Sequence, residues 1–220
     1  MTGGRVRRLG GVAGLGAALL VVVGWFLVPP HPPGPAATAE EVVRWTLDGR
    51  RRLLVGSLCI VIGLALMIVF VAALRALCAR AEGAPGILAT IGWGSVLVAL
   101  SVVFVGIALA QAQSFVVLDG DPGVVEALHE ARLLLVDLAG APLAVGLCAF
   151  GLTMWRSRYP ARWLGGLAGV AAVAQLLGVG ALSRDGFFSP SGGASLAGLA
   201  GLTVWVAVAS VVLLVGPDPE

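Results

Sequence analysis

Six apolar runs, each about 20 residues long, constrain the fold of this chain more than any other feature. They cover residues 9–28, 53–74, 87–110, 133–155, 163–182 and 194–215. A helix of about 20 residues crosses the roughly 30 Å of hydrocarbon in a bilayer. Only helices and closed barrels satisfy their backbone hydrogen bonds there. Because the runs lack the alternation of barrel strands, the sequence predicts an all-α, polytopic transmembrane bundle with six spans.

The composition indicates the same class of protein. Hydrophobic residues make up 59% of the 220 residues and charged residues 12%, whereas soluble domains average about 45–50% and 25%. The net charge of +2 is too small to indicate a nucleic-acid partner. We expect a single transmembrane domain over residues 1–220. Its first run is longer than the roughly 7 to 15 apolar residues of a secretory signal, which favours a retained span.

The basic residues predict the orientation, since cytoplasmic loops are rich in lysine and arginine. All 14 basic residues are arginine. With the N-terminus inside, eight of them are cytoplasmic and six are external. The run Arg50, Arg51 and Arg52 opposes this assignment, so the bias is modest. We expect both termini to be cytoplasmic.

Helix-start signals occur in the first two external loops. Thr38 and Glu41 have the spacing of a capping box, and Asp121 precedes Pro122 as a cap precedes a first helical residue. These signals predict a short interfacial helix in each loop. In the first of them we expect four side chains to face lipid: Val42, Val43, Trp45 and Leu47.

One acid, Asp137, stands in an apolar run and is the main candidate for a site. At about 100° per residue, Asp137 lies on the same helical stripe as Glu126 and Glu130. Small residues continue this stripe further along the helix. We therefore expect Asp137 to face the inside of the bundle. Arg132 lies about 140° around the same helix and is a poor partner. An intramembrane acid normally has a partner or faces a hydrated cavity. The expected partners on other helices or loops are Gln175, Ser57, Arg52 and Arg184.

Two interpretations of Asp137 stay open at this point. In the first, it forms a buried ion pair or hydrogen bond that fixes the register of the helices. In the second, these five residues line an outer-leaflet pocket for a polar or anionic head group. Pro142 favours the second slightly, because it loosens the backbone at the carbonyl of Leu138.

No signal for catalysis or a cofactor was found in the sequence. Glu126 and His129 have the Glu-x-x-His spacing of di-iron bundles, but those need a second pair. We therefore interpret His129 as part of an exposed helix face and expect no metal. Catalytic motifs such as a P-loop, HExxH or GxSxG do not occur. We expect no catalytic residues, no cofactor and no enzymatic activity.

Three stretches carry a resemblance to other proteins: FVAALRALCARAEGAPG at 70–86, DPGVVEALHEA at 121–131, and RWLGGLAGVAAVAQLLGVGAL at 162–182. The chain resembles uncharacterised polytopic membrane proteins of actinobacteria, which are classed as a domain of unknown function. The resemblance implies six helices and a bacterial cytoplasmic (inner) membrane. It implies no reaction and no site residue.

The expected function is therefore non-enzymatic. We expect a membrane module with an outward-facing polar pocket that binds a ligand, a lipid or a partner. Its partners would be membrane lipids and either a small ligand or another membrane protein. The alternative is a small secondary transporter that uses Asp137 as a proton-linked carboxylate, because such transporters place acids beside broken helices.

Overall fold

The computed structural model describes residues 3–83, 85–179, 186–190 and 192–216. Seven helices occur within these residues: α1 (Gly3–Leu27), α2 (Ala39–Glu82), α3 (Ile87–Val116), α4 (Pro122–Leu138), α5 (Gly140–Ser157), α6 (Arg162–Val179) and α7 (Gly193–Val215). Six helical stretches are long and apolar enough to cross a membrane, and α4 and α5 together form the fourth. The prediction of an all-helical bundle with six spans is confirmed. The chain is a multi-pass integral membrane protein.

The helices form a closed ring in chain order. Each span packs on the next, from α1 on α2 to α6 on α7, and α7 closes the ring by packing on α1. Small residues allow the closest approaches. A Cβ atom on Gly165 of α6 would lie 2.5 Å from the carbonyl oxygen of Gly151 on α5, so these two backbones touch.

The ring of helices has two ends, and each carries some of the segments that connect the helices. We call the end that carries segments 28–38, 117–121 and 186–190 the upper end. The lower end carries residue 3, where α1 begins, and the segment 158–161 between α5 and α6. The sequence predicts that the upper end is external.

The capping box predicted at Thr38 is present, with Thr38 Oγ1 accepting from the Glu41 N–H and the Glu41 carboxylate accepting from the Thr38 N–H. The helix that it starts differs from the expected interfacial helix. It runs unbroken for 44 residues into the second span, about 66 Å at 1.5 Å per residue, so its first turns project beyond the hydrocarbon. There Val42 is buried against Val117 and Val125, and the expectation that it faces lipid is wrong.

The fourth span is loosened directly below its acid. Asp121 caps α4 through a 2.7 Å bond from the Gly123 N–H, as predicted. Helix α4 extends to Leu138 and α5 begins at Gly140, while Ala139 between them keeps right-handed helical dihedral angles. Pro142 has no N–H for the carbonyl of Leu138, four residues earlier. The loosening predicted from this proline therefore lies next to Asp137, and the span continues through it as one long helix.

Candidate functional site

A central cavity of about 280 Å³ lies inside the ring, and all seven helices contribute to its wall. It extends from Pro32 and Ser195 at the upper end down to Phe70, Phe150 and Trp205. Most of the wall is aliphatic or aromatic. The polar and charged side chains in the wall belong to Ser57, Arg132, Asp137, Gln175, Ser195 and Thr203. A cavity of this kind suits a molecule that is largely apolar and has a polar end.

Asp137 faces into the bundle, as its helical stripe predicted. Its Oδ1 atom accepts a 2.8 Å hydrogen bond from the Oγ–H of Ser195, in the first turn of α7. Its Oδ2 atom is buried and has no hydrogen-bond partner within the part of the chain that the structure describes. The carboxyl group is thus only half satisfied by the protein.

Gln175 lines the same cavity as Asp137 and contacts the next turn of α7. Its Nε2 atom donates a 2.8 Å bond to the carbonyl oxygen of Gly198, one turn after Ser195 on α7. Gly140, at the start of α5, has room only for hydrogen here, because a Cβ atom would lie 2.9 Å from the Gln175 carbonyl oxygen. The upper part of α7 is therefore held from two neighbouring helices.

Of the remaining predicted site residues, one lines the cavity and one lies outside it. Ser57 is buried and lines the same cavity as Asp137 and Gln175. Arg52 is exposed, lies outside the cavity wall and donates from Nε to the Leu27 carbonyl oxygen at 3.3 Å. Arg184 lies outside the described residues. Among the described side chains, Asp137 bonds to a serine and makes no ion pair with an arginine.

A second polar group lies nearby, and the sequence did not predict it. His129, expected on an exposed helix face, is only 1% exposed. Its Nε2 atom lies 2.8 Å from the Pro33 carbonyl oxygen. A carbonyl can only accept, so Nε2 carries the proton, and Nδ1 accepts from an Arg132 N–H at 3.1 Å. The imidazole is therefore neutral and fully partnered.

Other helices extend this group, which we call the His129 cluster: His129, Arg132, Trp45, Thr46 and Gln113. Gln113 donates to Thr46 Oγ1 at 2.6 Å, and its amide nitrogen lies 3.4 Å from His129 Nδ1. The Trp45 ring meets the imidazole edge-on at 5.6 Å and the Arg132 guanidinium at 5.7 Å. The cluster joins α2, α3 and α4 above the cavity.

The proline-rich segment 28–33 is fastened to the upper end by these contacts. Besides the bond from His129 to Pro33, Trp45 Nε1 donates to the Pro30 carbonyl oxygen at 3.3 Å. Pro32 itself lines the top of the cavity. The segment therefore forms part of the upper boundary of the cavity.

Metal-ligating side chains do not gather around the Glu126 and His129 pair. In the described ranges, no group of three or more His, Cys, Asp or Glu side chains is close enough to hold a metal ion. Both ring nitrogens of His129 are occupied by Pro33 and Arg132. The histidine of the Glu-x-x-His pair belongs to the packed His129 cluster.

Fold and cavity together define a six-span integral membrane protein with a mainly apolar internal cavity. Comparison of the chain with protein-family models, curated proteins and solved structures found no match. The resemblance to actinobacterial membrane proteins therefore stays a prediction. The cavity and its polar residues are therefore the features that bear on function.

Proposed function

We propose that this membrane protein binds a single-chain amphiphile in the central cavity and catalyses no reaction on it. One observation carries the proposal: a mainly apolar cavity ends at an acid, Asp137, whose Oδ2 atom has no donor in the described chain. At about 280 Å³, the cavity lies near the lower limit of the roughly 300–1,000 Å³ typical of ligand pockets. That volume fits one alkyl chain better than two.

The chemistry of the upper wall favours a head group that donates hydrogen bonds. The charged residues of the described wall are Arg132 and Asp137. Asp137 has an acceptor without a donor, and Arg132, although it bonds to His129 and stacks on Trp45, has a buried Nε–H without an acceptor in the described chain. An alcohol or a neutral amine would supply the donor for Asp137 and could also accept from Arg132. The sequence predicts a polar or an anionic head group. The anionic alternative depends on Arg52 and Arg184, and the exposed position of Arg52 removes one of those two supports.

A binding role without catalysis is supported by the wall residues. A serine nucleophile needs an adjacent base, commonly a histidine or lysine. The wall residues in the described part of the chain include Ser57 and Ser195 but no histidine, lysine or cysteine. The base within reach of Ser195 among these residues is the Asp137 carboxylate, which is a much weaker base than histidine or lysine. The same wall suits a lipid or small amphiphile better than a protein segment, because it is enclosed by the ring of helices.

A cavity-filling variant tests the proposal. Val103 on α3 lines the cavity, whereas Val98 on the same helix is 57% exposed on the outside. Each is replaced by tryptophan, and the molecules that co-purify in mild detergent are extracted and quantified by mass spectrometry. We expect a near-stoichiometric amphiphile with the wild type and V98W, and less than about a tenth of it with V103W. Equal retention by both variants would refute binding in the cavity.

The loosened helix beside Asp137 favours a second candidate, a small proton-linked transporter. The carbonyl of Leu138 lacks its helical N–H donor because residue 142 is proline, and many transporters bind their substrates beside irregular transmembrane helices. Proteoliposomes with an internal pH dye and a dodecylamine gradient test this. Proton flux that disappears in Asp137→Asn supports transport. Binding of dodecylamine without proton flux supports the binding role alone.

We propose further that the protein resides in a bacterial cytoplasmic membrane with the upper end outside and both termini inside. The support is the distribution of arginines. Gly34 at the upper end has open space around it, and Arg158 lies at the lower end and is exposed. In a cysteine-free background, Gly34→Cys should react with an impermeant thiol reagent in whole cells and Arg158→Cys should not. The reverse pattern inverts the orientation.

A further inference from the structure

A shallow groove of about 360 Å³ runs between α5 and α6 on the outside of the ring. It is lined by Cys148, Gly151, Leu152, Trp155, Gly165 and Gly169. None of these residues lines the central cavity. Because Gly151 and Gly165 let the two helices touch, the groove is floored by backbone. The space beside Gly169 is open, since no atom lies within 4 Å of a Cβ atom built there.

Three exposed arginines lie where this groove reaches the lower end. Arg156, Arg158 and Arg162 fall within seven consecutive residues. The sequence holds no acidic residue between Asp137 and Asp185, so α5, α6 and their connection supply only positive charge. Such a patch at a membrane boundary attracts anionic lipid head groups, by about 1 kcal/mol for each basic residue.

Arg162 joins the groove to the charged patch. Its guanidinium carbon lies 4.3 Å from the centroid of the Trp155 ring, and Trp155 forms the lower wall of the groove. Stacking on the indole orients the planar fork of donors that binds phosphate oxygens in pairs. Arg162 also begins α6, and Ala161 before it has no side-chain oxygen to cap the helix, whose positive end favours an anion.

We propose that this groove is a specific site for an anionic phospholipid of the bilayer. One acyl chain lies along the backbone floor between Gly151 and Gly169. The phosphate binds Arg162, and Arg156 and Arg158 contribute attraction at longer range. The site is separate from the central cavity, so it stands whether or not an amphiphile binds there.

Charge variants test the head-group contact. Purified protein in mild detergent is titrated with phosphatidylglycerol or with phosphatidylcholine of the same acyl chains, and the first bound lipid is quantified by native mass spectrometry. We expect phosphatidylglycerol to bind at least about fivefold more tightly than phosphatidylcholine. Arg162→Gln should weaken the binding of phosphatidylglycerol about fivefold. Arg80→Gln changes another exposed arginine near the lower end, on α2, and should leave it unchanged.

A glycine pair tests the acyl-chain contact independently of charge. Gly169 and Gly94 both have open space around a Cβ atom, but only Gly169 lines the groove. Gly169→Leu should weaken phosphatidylglycerol binding at least about threefold, and Gly94→Leu should not. Equal affinity for the two lipids overturns the proposal. Equal losses in Arg162→Gln and Arg80→Gln, or equal results for the two leucine variants, also overturn it. Monodisperse elution confirms that each variant is folded.

Discussion

The imidazole of His129 and the carboxyl group of Asp137 are both polar groups near the upper end, and they differ in how far the chain satisfies them. Both ring nitrogens of His129 have protein partners, drawn from α4 and the proline-rich segment. Two atoms beside the imidazole, Arg132 Nε and Gln113 Oε1, have no hydrogen-bond partner in the described chain. Asp137 has one bond, to Ser195, and one buried oxygen without a donor in the described residues. The comparison indicates that the first group holds the bundle together. The second leaves a contact for a bound molecule.

The largest expected effect on stability comes from the cluster. His129→Leu removes the bond to Pro33 and leaves Arg132 and a carbonyl without their partner in a buried place. We expect the free energy of unfolding to fall by about 2 to 4 kcal/mol, measured by equilibrium titration with a denaturing detergent. Glu130→Gln changes the exposed neighbour and should alter it by less than about 0.5 kcal/mol. A loss below about 0.5 kcal/mol for His129→Leu would contradict a structural role.

A smaller effect is expected where α7 meets Asp137. Ser195→Ala removes the 2.8 Å bond to Asp137 Oδ1 and nothing larger. The free energy of unfolding should fall by about 1 kcal/mol in the same titration. Thr203→Val serves as the control, since within the described part of the chain Thr203 bonds only to the Leu199 carbonyl oxygen of its own helix. A loss as large as that of His129→Leu would remove the distinction between the two regions.

The smallest effect is expected at Arg52. Its guanidinium is exposed and lies outside the cavity wall. Arg52→Gln should change the free energy of unfolding by less than about 0.5 kcal/mol and leave the amount of co-purified amphiphile unchanged. Loss of the amphiphile in this variant would show that Arg52 contributes to binding, and it would favour an anionic head group.

The sequence predicts the features that depend on residues close together in the chain. The six spans and the caps at Thr38 and Asp121 depend on local composition and on a few adjacent residues. The inward direction of Asp137 followed from the periodicity of its own helix. Gln175 and Ser57 were brought to the same cavity because helix depth can be counted along each span.

The sequence-based predictions fail where contacts with a second helix decide the position of a side chain. The pattern of α4 alone predicts that His129 is exposed. In the structure, α2 continues past the membrane and packs Trp45 against the His129 ring. Ser195 was missed because the rotation of α7 about its axis is fixed by neighbours, and no periodic polar stripe marks it. Arg52 lies elsewhere because a long side chain near the membrane boundary can turn toward the free carbonyl at the end of a neighbouring helix, here that of Leu27 on α1.

The most direct test of the account is one variant measured in two ways. Asp137→Asn keeps the shape of the side chain and can still accept from Ser195, but it loses the carboxylate. We predict that the free energy of unfolding changes by less than about 1 kcal/mol, while the co-purified amphiphile falls at least about tenfold. A stability loss of about 3 kcal/mol or more with the amphiphile fully retained would contradict the account and make Asp137 a structural residue.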